Sequence, residues 1–344
     1  MKKNNLYTFL SFSILSFFLL MSNIVLAQPN FYGCHNHKHH HKLEPLTPEQ
    51  LTQLQFSNER SDTLDILNYH IKMSFLNFSA QEIDANCEIS LKSKMDNVSQ
   101  ITLDLLDLTV DSVMANGQHL NYSRDNNFIY AQFPTPLTIE EEIIITVYYH
   151  GNPTTAAGGF GGLAFQGGIA YNLGIGLGEN PYNYGRGWFP CFDNFKERST
   201  FDFTIMSNGD RRAYCVGTFM EETISNDVIT RKYSLDQEIP TYLAGIAVGN
   251  FSAWNATHTG QFGDVDLELL ALPGNLSAVT NSFQYLDESV DALEKWWGPY
   301  VWERVGFVMT GNGAMEHPMN VAYPLSLANN GPTDIHNRVM VHEL

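Results

Sequence analysis

From Asp65 the chain alternates short apolar runs with turn signals. Runs at 66–78, 87–93, 100–105, 109–115, 128–133 and 143–149 are rich in β-branched and aromatic residues. Between them stand Asn116-Gly117, Asp125-Asn126-Asn127 and His150-Gly151-Asn152-Pro153. Short β-type runs at regular spacing with such turns predict an antiparallel β domain. Glycine is dense between 156 and 187, with no strand-to-helix context for a nucleotide-binding loop. That stretch predicts loops and hairpins that bring backbone close to a cleft.

The pattern changes after Phe251. Val265 to Leu272 alternates as a strand, and Pro273-Gly274-Asn275 turns the chain into a helix predicted over 276–297. Phe283, Leu286, Val290, Leu293 and Trp297 fall at helical spacing and predict one buried stripe. Glu303 to Thr310 is the next strand, and a last helix starts near Ile335, capped by Thr333 or Asp334.

At the other end, Lys2 and Lys3 precede an apolar stretch closing on Val25-Leu26-Ala27. This predicts a signal peptide over 1–27, in preference to a membrane anchor, and hence export to the periplasm or medium. Residues 28–61, with a histidine tract at 35–42 beside Pro45 and Pro48, are expected to be a His-rich flexible linker. The β domain is set at 62–255 and a second domain at 256–344.

Nineteen basic against thirty-seven acidic residues give a net charge of −18, which repels nucleic acid and anionic lipid. Neither is expected as a partner, nor is stable membrane insertion after signal cleavage. The four cysteines, at 34, 87, 191 and 215, allow disulfides in an exported chain without saying which. Cys191 is expected to fill space in a core.

Chemistry concentrates near residue 344. His342-Glu343-Leu344 reads as the first half of His-Glu-x-x-His, in which two histidines on one helix face bind zinc and the glutamate works on the bound water. Upstream stands Gly313-Ala314-Met315-Glu316-His317. These two motifs, with Trp188-Phe189-Pro190-Cys191-Phe192-Asp193, the segment from Ile239 to Phe251 and Trp297-Gly298-Pro299-Tyr300, resemble the aminopeptidase N family of gluzincin zinc peptidases. The resemblance runs over about 62–344. It departs from the family at His317, where asparagine is usual.

The resemblance implies a mainly β chain with a partial α+β domain: an N-terminal antiparallel β-sandwich or saddle domain, then the start of a thermolysin-like catalytic domain. It implies an exported zinc aminopeptidase acting on peptides with a free N-terminus, with one catalytic Zn2+. His342 is then a metal ligand and Glu343 the general base. Glu316 is implied to hold the substrate amine, and Gly313, Ala314 and Met315 to offer substrate an extended backbone. Glu179, ten residues before Phe189, matches by spacing a second amine anchor. With one zinc ligand of three, the 344-residue chain by itself is expected to be inactive. The other reading is a non-catalytic relative that binds peptide or protein through the same fold.

Overall fold

A computed structural model of the chain describes residues 46–344. The expected signal peptide, Cys34 and the histidine tract lie outside the described residues. Helix α1 (Pro48–Thr63) comes first, so the expected linker is helical from Pro48. Thr47 and Gln50 close a reciprocal capping box, at 3.2 and 2.9 Å, and Pro48 occupies the first turn, where its missing N–H costs nothing. The buried residues of α1 are Ser57, Arg60 and Ser61, so no apolar stripe marks it.

Fifteen strands follow: β1 (Leu64–Ser74), β2 (Ile83–Ser93), β3 (Val98–Asp104), β4 (Thr109–Ala115), β5 (Gln118–His119), β6 (Tyr122–Arg124), β7 (Phe128–Leu137), β8 (Glu142–Gly151), β9 (Gly162–Gln166), β10 (Ile169–Leu173), β11 (Ser199–Asn208), β12 (Arg212–Cys215), β13 (Thr218–Ser225), β14 (Val228–Ile239) and β15 (Ile246–Gly249). Eight form one sheet in the order β13-β14-β11-β1-β2-β8-β4-β5. Its pairings are antiparallel except β1 with β11, which run parallel. A four-stranded sheet, β12-β15-β10-β9, and a three-stranded one, β3-β7-β6, complete the mainly β region.

One face of β1 is buried through Leu64, Ile66, Tyr69, Ile71 and Met73, and alternation across the pleat turns the rest outward. Trp188, Phe189 and Phe192 pack into the same core. Cys191 is fully buried there, and burial pushes its thiol well up, as suits a space-filling group. Cys87, Cys191 and Cys215, the described cysteines, are free. The glycine-rich stretch contains the β9–β10 hairpin, whose Gly167 and Gly168 have φ of 62 and 84°, the left-handed pair a tight two-residue turn requires.

The remaining elements are β16 (Ser252–Thr259), β17 (Asp264–Ala271), α2 (Leu276–Ser282), α3 (Leu286–Trp297), β18 (Arg304–Thr310), β19 (Val321–Pro324), α4 (Leu325–Ala328) and α5 (Asp334–Glu343). β16 to β19 form a sheet in sequence order, antiparallel at first and then parallel. The helix expected over 276–297 is two helices, broken at Phe283 to Tyr285. Phe283 caps the break and packs edge-on against Phe307, Tyr323 and His336. The stripe is buried as far as Val290, but Trp297 is 85% exposed and Trp296 77%. The expectation of a buried Trp297 is thereby corrected: the stripe continues across the break through Leu286 and Val290 and ends before Trp297. Among the described residues no helix is long and apolar enough to cross a membrane.

Candidate active site

Helix α5 carries the His-Glu pair. Thr333 caps it, its side chain accepting the His336 amide at 3.3 Å. His336, Val339, Met340 and Glu343 form its buried face, spaced at three, four and seven residues, while His342 is exposed. The helix is fixed to β19 by Tyr323, whose hydroxyl lies 3.0 Å from His336 Nδ1 and donates to the His336 carbonyl at 3.1 Å. Tyr323 and His336 are fully buried anchors of this helix. Sequence reasoning passed over both, since neither belongs to a motif.

Opposite stands the Gly313 to His317 segment. Met315 and Ala322 exchange backbone hydrogen bonds of 2.9 and 3.1 Å, which adds the segment antiparallel to β19 at the edge of the sheet. Gly313 departs from the extended backbone expected of it: its φ is 63°, and it turns the chain into the segment. Ala314 and Met315 are buried, at 5 and 2% exposure.

Glu316, His342 and Glu343 come together. Glu316 opens to solvent but is walled closely by protein, and this desolvation raises its pKa, with the nearby His342 imidazole pulling the other way. Glu343 is 4% exposed, and burial, helped by the Glu316 charge, pushes it up to about 8. A carboxyl poised near neutrality is suited to taking and returning a proton.

His317 takes no part in that group. Its ring is 1% exposed and lies against Gly245, where an added Cβ would come within 2.5 Å of the imidazole Cγ. Burial lowers its pKa to about 3, against a hydrogen bond to the Tyr242 backbone.

Glu179 stands beside Arg186, its carboxylate 4.0 Å away, and lines a cavity of about 190 Å³ with Gln53, Ser57 and Asp104. Arg186 is held in turn by the fully buried Asp193 at 3.0 Å. The Phe-Pro-Cys-Phe-Asp box is thus tied to a buried ionic network, which runs on through the Asp193 amide to Asp104 and from Asp104 to Arg60 at 2.6 Å.

Among the described residues no three His, Cys, Asp or Glu side chains form a metal-binding set. The exposed imidazole of His342 fits one corner of a zinc site beside two carboxyls, and a closed set needs donors from elsewhere.

The family model of the peptidase M1 N-terminal domain matches residues 66–243. Among solved structures, a two-domain M1 zinc metallopeptidase mutant bound to L-arginine matches with a TM-score of 0.70 and 20% identity, over 82% of this chain and 64% of that one. The M1 zinc metallopeptidase from Deinococcus radiodurans matches with a TM-score of 0.70 and 21% identity, over 82% and 63%. A mutant of that organism's enzyme bound to a Tyr-Ser-Ala substrate matches with the same score, at 20% identity and over 82% and 64%. The likeness shows a common fold, and the chain spans under two thirds of the length of these structures.

Proposed function

Because this chain belongs to the peptidase M1 N-terminal domain family, we propose that it is the N-terminal portion of an exported zinc aminopeptidase that removes N-terminal residues from peptides. The observation that carries this reading is the meeting of Glu316, His342 and Glu343 across the gap between β19's edge and α5. In it, His342 is one ligand of a zinc ion, and bound zinc would supply a water of lowered pKa. Glu343 takes the proton of the attacking water and passes it to the leaving amine, for which a pKa near neutrality is apt. Glu316 holds the α-amine of the substrate by charge-assisted hydrogen bonds, which restricts cleavage to the chain end. The neighbours bound to L-arginine and to Tyr-Ser-Ala support a peptide substrate.

The 344 residues alone are read as inactive, since His342 is the one zinc ligand assigned among them. The test is an aminoacyl-anilide assay on the protein from the full reading frame, with a chelator control. Glu343→Gln should retain zinc and lose turnover, and Glu316→Ala should lose exopeptidase activity. Wild-type rates in either variant reject its assigned role, and a full-length protein that binds peptides without cleaving them establishes the non-catalytic reading.

A further inference from the structure

We infer that the cleft beside Gly311 is a subsite for an uncharged stretch of peptide, the fourth and fifth residues of a chain whose amino terminus lies at Glu316. The inference rests on the aminopeptidase reading for its anchor point. The cleft has a volume of about 520 Å³, in the range of small-ligand sites. Four separate segments wall it: the β9–β10 turn, Leu272 just past β17, the end of β18 and the stretch from Leu325 to Asn330. No charged side chain lines it, although the chain carries thirty-seven acidic and nineteen basic residues.

Its chemistry is specific. Ile169, Met309 and Leu325 offer apolar surface, and Gln166, Thr310 and Asn329 offer hydrogen-bonding groups. Thr310 is 2% exposed, and its hydroxyl has no hydrogen-bond partner. A buried hydroxyl left unpaired costs about 1–3 kcal/mol, so a ligand that pairs with it gains from an existing deficit. Gln166 and Asn329 each carry a donor and an acceptor in one plane, as a peptide group does. No aromatic ring lines the cleft on which a sugar would stack.

The register gives the direction. Met315 pairs antiparallel with Ala322, so the backbone running back from Glu316 to Gly313 follows β19 toward Leu325, which lines the cleft. In this register Glu316 is level with Val321, and Leu325 is four residues further along, so a peptide extended on this path at about 3.3 Å per residue reaches the cleft near its fourth and fifth residues. A charged side chain there loses hydration without a partner.

Calorimetric titration of the chain with chelator present tests this. The probes are an all-neutral pentapeptide amide, the same peptide with Asp or Lys at the fourth position, and N-acetylated forms of all three. The neutral peptide should bind about tenfold more tightly than either charged one. Thr310→Val, which keeps side-chain shape, should weaken the neutral peptide. Asn329→Lys, at an exposed position, should shift preference to the Asp peptide. Equal affinities for neutral and charged peptides, or a preference untouched by both variants, overturn the subsite. So does binding of maltose, in place of peptide, that both variants remove. If the preference survives while acetylation changes nothing, the subsite stands and the amine role of Glu316 falls.

Discussion

Glu343 and Glu316 face each other across the gap between α5 and the edge of the β16–β19 sheet, and the charge of Glu316 helps hold the Glu343 carboxyl at about 8. Replacing Glu316 by glutamine removes that charge and keeps the volume. The Glu343 pKa should fall in Glu316→Gln, read by carbon NMR titration of the side-chain carboxyls. An unmoved titration would mean that burial alone sets it.

His317 makes the fold acid-sensitive. Its folded pKa of about 3 lies below the ordinary histidine value, so an unfolded chain takes up the proton first as pH falls. Stability from this residue is full above about pH 6.5 and declines below it, by about 2 kcal/mol near pH 5. His317→Phe, which carries no titrating group, should reduce the pH dependence of thermal unfolding between about pH 6.5 and 5 by roughly half, since burial also lowers His336, to about 4, and its loss runs the same way. A slope equal to that of the wild type would assign the effect to other groups.

Tyr171 couples the β9–β10 hairpin to the loop before Glu316. Its hydroxyl accepts the Asn312 amide and donates to Gln166, both at 2.9 Å. Tyr171→Phe should speed hydrogen exchange at Asn312 and cost about 1–2 kcal/mol. Unchanged protection of that amide would show that another group holds the loop.

Arg60 pins α1 to the β domain. Its guanidinium and the Asp104 carboxylate are both nearly buried, and removing one leaves the other uncompensated. Arg60→Met should destabilise the chain by roughly 3–5 kcal/mol in denaturant unfolding. A loss under about 1 kcal/mol would show the pair to be solvated in solution.

These residues also show where sequence reading succeeds. Strands β1 to β4, β7 and β8 are legible because each buries one face, which forces alternation, and turn residues mark the ends, whereas the short β5 and β6 carry too few residues to show the pattern. The zinc-peptidase motifs were legible because their chemistry requires fixed spacing. Helix α1 was missed although Thr47, Pro48 and Gln50 spell a helix start, because what it buries is polar and its anchor is an ion pair 44 residues away in sequence. Glu179 was placed by spacing alone, and spacing does not reveal that Arg186 stands beside it. The parallel pairing of β1 with β11 joins residues more than a hundred positions apart, and no local pattern encodes it.

The C-terminal end of α3 leaves Trp296 and Trp297 in water while Trp188 is wholly enclosed. Indole emission reports its surroundings, so the chain carries its own optical probe on the flank of His342, where Trp297 and His342 border one groove. Whatever covers that groove in solution should announce itself as a blue shift in fluorescence, with no label attached.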